Sequence, residues 1–171
     1  MYARYWIGLG DPSLSIEHDR IDYMFKPDQT TRRFGNLQRY NELGMRSPSL
    51  TTVGDRALVL VFGDSVVNGG YFVAQSDLAT SLASDSEAFY GNVSAGSWGP
   101  GNHRAWIDVF GLLDAEAAIF VYSSHDLDDQ PEFAPLDPRY FPTQTPWSAT
   151  GELLTRSLAN YLPKFLEPFL E

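Results

Sequence analysis

The chain has 171 residues, 43% of them apolar and 14% aromatic, which suits one globular domain with a real core and argues against wholesale disorder. Its formal charge of −10 leaves no basic stripe to neutralise phosphates, which disfavours nucleic acid and anionic lipid as partners. The absence of cysteine excludes disulfides, thiolate metal sites and cysteine catalysis, and no apolar run approaches the roughly 18–20 residues of a membrane span.

The start of the chain, Met1-Tyr2-Ala3-Arg4-Tyr5-Trp6-Ile7-Gly8, lacks the charged-then-apolar layout of a signal peptide. Localisation therefore stays open between a cytoplasmic protein and one whose export segment is missing from this sequence. Residues 1–54 are irregular and polar-aromatic, punctuated by Gly8, Gly10, Pro12, Pro27, Gly35, Gly44 and Pro48. They read as an N-terminal wrap with one or two short strands, around Arg33–Phe34 and Gln38–Tyr40. Residues 55–171 read as the α/β body of a single domain. Within it, the continuous apolar run Ala57–Phe62 predicts a first core strand. Leu78 and Leu82, with Ala79 and Ala83 beside them, predict a helix over Ala74–Ser84.

A second strand is expected at Ala88–Val93, then a Gly-rich loop over Ser94–Gly101 and a helix from Pro100 or Gly101 to about Leu113. Ala117–Tyr122 predicts a third buried strand. Strand–helix–strand–helix–strand implies crossover connections and a parallel sheet between helical layers. Residues 128–147 form a proline-rich loop, and Ser148 suits the N-cap of a final helix carrying Leu153, Leu154 and Leu158.

Gly63-Asp64-Ser65 directly follows the first core strand, so Ser65 is expected at its carboxyl end, where open α/β sheets bind ligands. A serine placed there by a sharp turn is a nucleophile if a base reaches it. In a parallel sheet the Ser94–Gly101 loop and Ser123-Ser124-His125-Asp126 leave their strands at the same rim. That convergence carries more weight than any one segment.

Together these residues resemble the SGNH, or GDSL-type, hydrolases over roughly residues 20–130. Gly63-Asp64-Ser65 matches the first block of that family, which carries the serine nucleophile. Asn92-Val93-Ser94-Ala95-Gly96-Ser97-Trp98-Gly99-Pro100 is similar to the second block, whose backbone N–H helps form the oxyanion hole, and Ser97 aligns best with the usual oxyanion glycine. Ser123–Asp126 falls where the third block, Gly-x-Asn-Asp, is expected, with His125 in place of the asparagine that completes the hole. The upstream segment Asn41–Arg46 looks like the one that precedes the first strand in many members. The fourth block, Asp-x-x-His, is absent: no histidine follows His125.

The resemblance implies a three-layer α/β/α, flavodoxin-like parallel sheet that stops short of its C-terminal part. It implies a serine ester hydrolase or acyltransferase working through an acyl-enzyme on Ser65, with acylated carbohydrate as the substrate by analogy. Ser97 N–H and His125 would stabilise the oxyanion. His125 could instead serve as a substitute base or a substrate contact, or simply be a polar residue bonded to the acidic loop. Asp64 is expected chiefly to hold the turn at the edge of the substrate site. Gly96 and Gly99 are expected to supply loop dihedrals, with Gly96 beside the ligand. Asn102 suits ligand contact and helix capping equally, and Asp126 orients His125 or meets substrate. Trp98, Trp106 and Trp147 with Tyr122 suit stacking on a sugar ring, or core packing. His103 reads as a solvated polar residue.

His125, Asp126, Asp128 and Asp129 do not follow a calcium-loop spacing, so no metal and no other cofactor is expected. The rival reading is a catalytically impaired or truncated domain of this type, acting as a module that binds a carbohydrate or acyl group. The oligomeric state is not legible.

Overall fold

The computed structural model describes residues 8–126 and 128–153. The body is a three-stranded parallel sheet in the order β6-β5-β7. Its strands are β5 (Ala57–Gly63), β6 (Ala88–Ser94) and β7 (Ala117–Phe120). All three lie where the apolar runs predict them, but β7 is two residues shorter than expected and, as an edge strand, is largely exposed rather than buried, with Ile119 and Phe120 open to solvent. β5 occupies the centre because its run is apolar on both faces. Its register aligns Phe62 with Val93 on one side and with Phe120 on the other.

Leu58, Leu60 and Phe62 alternate onto one face of β5, and Leu60 and Phe62 are fully buried there. Withdrawing each from water contributes about 2 kcal/mol. Phe62 meets Trp106 edge-on at 5.6 Å. Trp106 belongs to α3 (Pro100–Phe110), which starts with proline in its first turn and stops at Gly111. Ile21, Met24 and Met45 from the N-terminal part join the same core. On the opposite face, a β-carbon at Gly63 would lie 2.3 Å from Val67 Cγ2 in α1 (Ser65–Asn68). The Asn92 side chain donates there to Val67 O at 2.8 Å and to Thr80 Oγ1 at 3.4 Å. Thr80 lies on α2 (Ala79–Ala83).

Two expectations change. The Ala74–Ser84 helix is a single 3-10 turn (Gln75–Asp77) followed by the short α2, with Leu78 before the helix rather than in it. Leu78 is buried and Leu82 is exposed, so their four-residue spacing is not a shared apolar face. The N-terminal wrap holds two antiparallel hairpins: β1 (Ser15–His18) with β2 (Asp22–Phe25), and β3 (Gln29–Arg33) with β4 (Asn36–Tyr40). The second takes in Gln38–Tyr40 and Arg33, while Phe34 falls in the turn between its strands; the first was not foreseen.

The proline-rich loop runs along β1 and β2. Ser15 N donates to Pro142 O at 2.8 Å, and Asp22 accepts from Glu132 N and Phe133 N. Ser148 caps α4 (Ala149–Glu152) by accepting from Gly151 N at 2.9 Å, as expected. The rest of that predicted helix, with Leu154 and Leu158, lies outside the described residues. Buried Glu152 holds α4 to the N-terminal part through Arg33, with contacts of 2.5 and 2.7 Å.

Candidate functional site

The strand order reverses between β5 and β7, which opens a crevice at the carboxyl end of β5. The chain turns sharply there. Asp64 is the N-cap of α1, its carboxylate accepting from Val66 N at 2.8 Å, and its side chain is buried. Gly63 is needed because Val67 folds back against it. Ser65 is the first residue of α1 and is exposed.

Ser65 lines a cavity of about 140 Å³ whose far wall is N-terminal. Tyr23, Phe25 and Tyr40 come from the hairpins, and Tyr71, Tyr140 and Phe141 complete its aromatic lining. Phe25 and Tyr40 stack at 4.2 Å. The wrap therefore supplies five of the thirteen residues that line the pocket around the serine. The period-two placement of Ser13 and Ser15, and of Tyr23 and Phe25, is the sequence signal that points to it.

Asn68 anchors the floor. Its amide donates to Ser94 O at 3.0 Å and to Ser94 Oγ at 3.4 Å. Burial pushes the Tyr40 phenol well above its ordinary value, so it stays protonated. Ser94 in turn donates to Asn92 Oδ1, extending a buried polar chain beneath α1. Fully buried Arg46 donates to Asn68 O, to Gly70 O at 2.6 Å and to Val73 O at 2.6 Å, clamping the segment that leaves α1.

The second predicted segment divides. Gly96 lines the Ser65 cavity. Ser97 lines a different one, of about 420 Å³, with Asp22, Asp128, Asp129 and Glu132. Ser97 also takes the left-handed backbone (φ 56°) that was expected of a glycine. Gly99 is required by close approach instead, since a β-carbon there would lie 2.1 Å from Asp129 O. Trp98 is buried, donating from Nε1 to Tyr23 O at 3.1 Å, so its indole is a core element. Trp106 is likewise core, whereas Trp147 is almost wholly exposed. Asn102 is buried as a cap and tie, accepting from Gly99 N at 3.0 Å and donating to Ile21 O at 2.7 Å.

The third segment is a tight turn. Buried Asp126 accepts from Ser123 N and Ser123 Oγ, both at 2.6 Å, and these bonds hold its carboxyl below the usual range. His125 is exposed in that turn and lines neither cavity. The histidine that sits inside is His103, not the solvated residue its polarity suggested. It shares the inward side of α3 with Trp106, three residues on. Its Nε2 is 3.2 Å from Gly63 O and its Nδ1 is 3.3 Å from the Tyr122 hydroxyl. Burial pushes the imidazole below its ordinary value, against the opposing influence of the Gly63 carbonyl, Asp126 and Asp64.

Compared with known proteins, the chain matches no family model, and no curated protein or solved structure matches it. The arrangement itself defines what the site can do. An exposed serine stands just past the carboxyl end of the central strand, beside a small aromatic cavity. Among the described residues that line this cavity there is no imidazole and no carboxylate. Among the described residues no cluster of His, Asp and Glu is arranged to hold a metal ion, and no helix is long and apolar enough to cross a membrane.

Proposed function

We propose that this chain is a serine ester hydrolase or acyltransferase of the SGNH type, acting through an acyl-enzyme on Ser65. The observation that carries this reading is the exposed Ser65 on the turn after the central strand, lining a cavity of about 140 Å³. Ser65 Oγ gives its proton to a base and attacks the ester carbonyl. Collapse of the tetrahedral intermediate expels the alcohol, and water or an acceptor hydroxyl then takes the acyl group. The cavity of about 140 Å³ is small beside the roughly 300–1,000 Å³ of ordinary ligand pockets, which suits a short acyl group rather than a fatty chain. An acylated carbohydrate is the substrate class we favour, by resemblance to that family.

We also read the domain as the three-layer, flavodoxin-like form. The order β6-β5-β7 supports this, as do α3 packed against Phe62 and α1 packed against Gly63. A second reading is a binding module for the same acyl or sugar group. It draws support from the lack of any imidazole or carboxylate among the described cavity-lining residues.

The test is labelling with p-nitrophenyl methylphosphonate, followed by mass spectrometry of the peptide around Ser65. An adduct on Ser65, with p-nitrophenyl acetate turnover abolished in Ser65→Ala, supports the enzyme. No adduct, with turnover equal to that of Ser65→Ala, refutes it in favour of the module.

A further inference from the structure

His103 is 1% exposed, and both of its ring nitrogens are occupied, Nε2 by Gly63 O at 3.2 Å and Nδ1 by the Tyr122 hydroxyl at 3.3 Å. Phe62, Trp98, Phe120 and Tyr122 surround the ring, with centroids 5.5–6.2 Å away. An apolar side chain would suit such a surround, whereas an imidazole must replace its lost hydration with bonds. What the histidine adds at this place is its two hydrogen bonds. Gly63 O only accepts, so Nε2 carries the proton and donates to it, and Nδ1 of the neutral ring accepts from the Tyr122 hydroxyl. A chain of two bonds thus runs from the segment after β7, through α3, to the end of β5.

That chain ends on the peptide plane from which the Ser65 turn departs. The register between β5 and β6 closes with Gly63 opposite Ser94, and the chain then leaves the sheet. Asp64 and Val67 tie the outer side of the turn, the first accepting from Val66 N at 2.8 Å and the second packing against Gly63. Gly63 has no side chain to fix its own torsions, so the plane between Gly63 and Asp64 keeps a glycine's freedom unless its carbonyl is held. His103 holds it from the α3 side.

We infer that His103 is a positioning residue for Ser65, its Nε2–H fixing the Gly63 carbonyl and with it the turn that presents the serine hydroxyl. The inference rests on the proposed function in taking Ser65 as the nucleophile. His103 acts through the turn and not on substrate, since neither it nor Tyr122 lines a cavity. The donor also survives protonation: the imidazolium keeps Nε2–H, and only the bond to Tyr122 must reverse. The charges of Asp64 and Asp126, one from each neighbouring turn, favour that protonated form without changing the donor to Gly63 O. His103 therefore adds no acid limb to the pH profile, which separates this role from that of a base.

Two variants isolate the bond. His103→Gln offers an amide N–H in place of Nε2–H, and His103→Leu offers no donor. The experiment measures kcat and KM on p-nitrophenyl acetate across pH, with the backbone amide resonances of Asp64, Ser65 and Val66 by NMR. The expected result in His103→Leu is a kcat about tenfold lower with KM within about twofold, the effect of one ordinary hydrogen bond, and most of that loss is recovered in His103→Gln. The turn resonances differ between the two variants, because both lack the ring and only one keeps the donor. An unchanged kcat in His103→Leu overturns the inference, as does a loss that lies in KM. Equal losses in the two variants also overturn it, and disappearance of an acid limb along with them makes His103 the base. Where neither variant folds, Tyr122→Phe decides, at a position 42% exposed. Loss of its hydroxyl loosens the ring, so a kcat lowered roughly two- to threefold with shifted turn resonances supports the inference, and wild-type values of both overturn it. A wild type that neither turns over ester nor takes the phosphonate strikes the serine mechanism alone. The turn resonances of the two His103 variants then still decide, and their coincidence overturns the inference.

Discussion

Replacing Arg46 with methionine removes the clamp beneath Ser65 while keeping a long apolar stem. Arg46 is fully buried, and among the described residues it forms no ion pair. Its guanidinium bonds instead to Asn68 O, Gly70 O and Val73 O. In Arg46→Met, Gly70 O keeps the Gln38 amide at 2.9 Å, while Asn68 O and Val73 O lose the donor. Two orphaned acceptors at about 1–3 kcal/mol each give a loss of roughly 2–6 kcal/mol. Relief of the buried charge offsets part of it. Burial already pushes the Arg46 guanidinium below its ordinary value, which shows that the charged form is disfavoured there. A net destabilisation of about 3 kcal/mol follows, equivalent to a fall of roughly 1.5 M in the urea midpoint for a small domain. Arg46→Lys, with one compact ammonium in place of a forked donor, falls between the two. Urea titration followed by tryptophan fluorescence reads the effect. A loss below about 1 kcal/mol in Arg46→Met refutes the view that these carbonyls depend on the guanidinium.

Two further substitutions test the rest of the frame. Glu152→Ala strips the carboxylate from buried Arg33, and breaking such a pair costs about 3–5 kcal/mol, or roughly 10 °C in melting temperature for a chain of this size. A calorimetric shift under about 3 °C shows instead that α4 is not latched by this contact. His103 titrates below its ordinary 6.5 in the folded chain, so the unfolded chain takes up its proton first as pH falls. Its stabilising contribution is whole above 6.5 and is lost as pH drops from there through the lower folded value, at no more than about 1.4 kcal/mol per pH unit. Unfolding free energies from pH 7.5 to 5 decline more steeply in the wild type than in His103→Gln; parallel profiles rule this out.

The sheet was legible because β5, β6 and β7 are short apolar runs, although the run of β7 lies at an edge and stays largely exposed. The turn was legible because Gly63-Asp64-Ser65 is punctuation that acts over a few residues. The β1–β2 hairpin was hidden because its buried positions mix Ser15 with Tyr23 and Met24, and so carry no apolar signature. Leu78 and Leu82 misled for a related reason: a four-residue spacing marks a helix face only where a neighbour covers it. His103 and His125 exchanged expectations because burial of an imidazole depends on the element it rides. His103 is carried inward on α3, while His125 sits in a turn held by Ser123 and Asp126.

The sequence by itself determined the parallel strands, their order along the chain, and a serine exposed at the end of the first one; that this strand is the central one came from the sheet order. Each of these sequence readings follows from interactions within a strand or a turn. Only the tertiary structure decided what surrounds that serine. The aromatic wall of Tyr23, Phe25 and Tyr40, the His103 bond to Gly63 O and the Arg46 clamp join segments far apart in the chain. A cavity is a property of how such segments pack, and no local pattern encodes its shape.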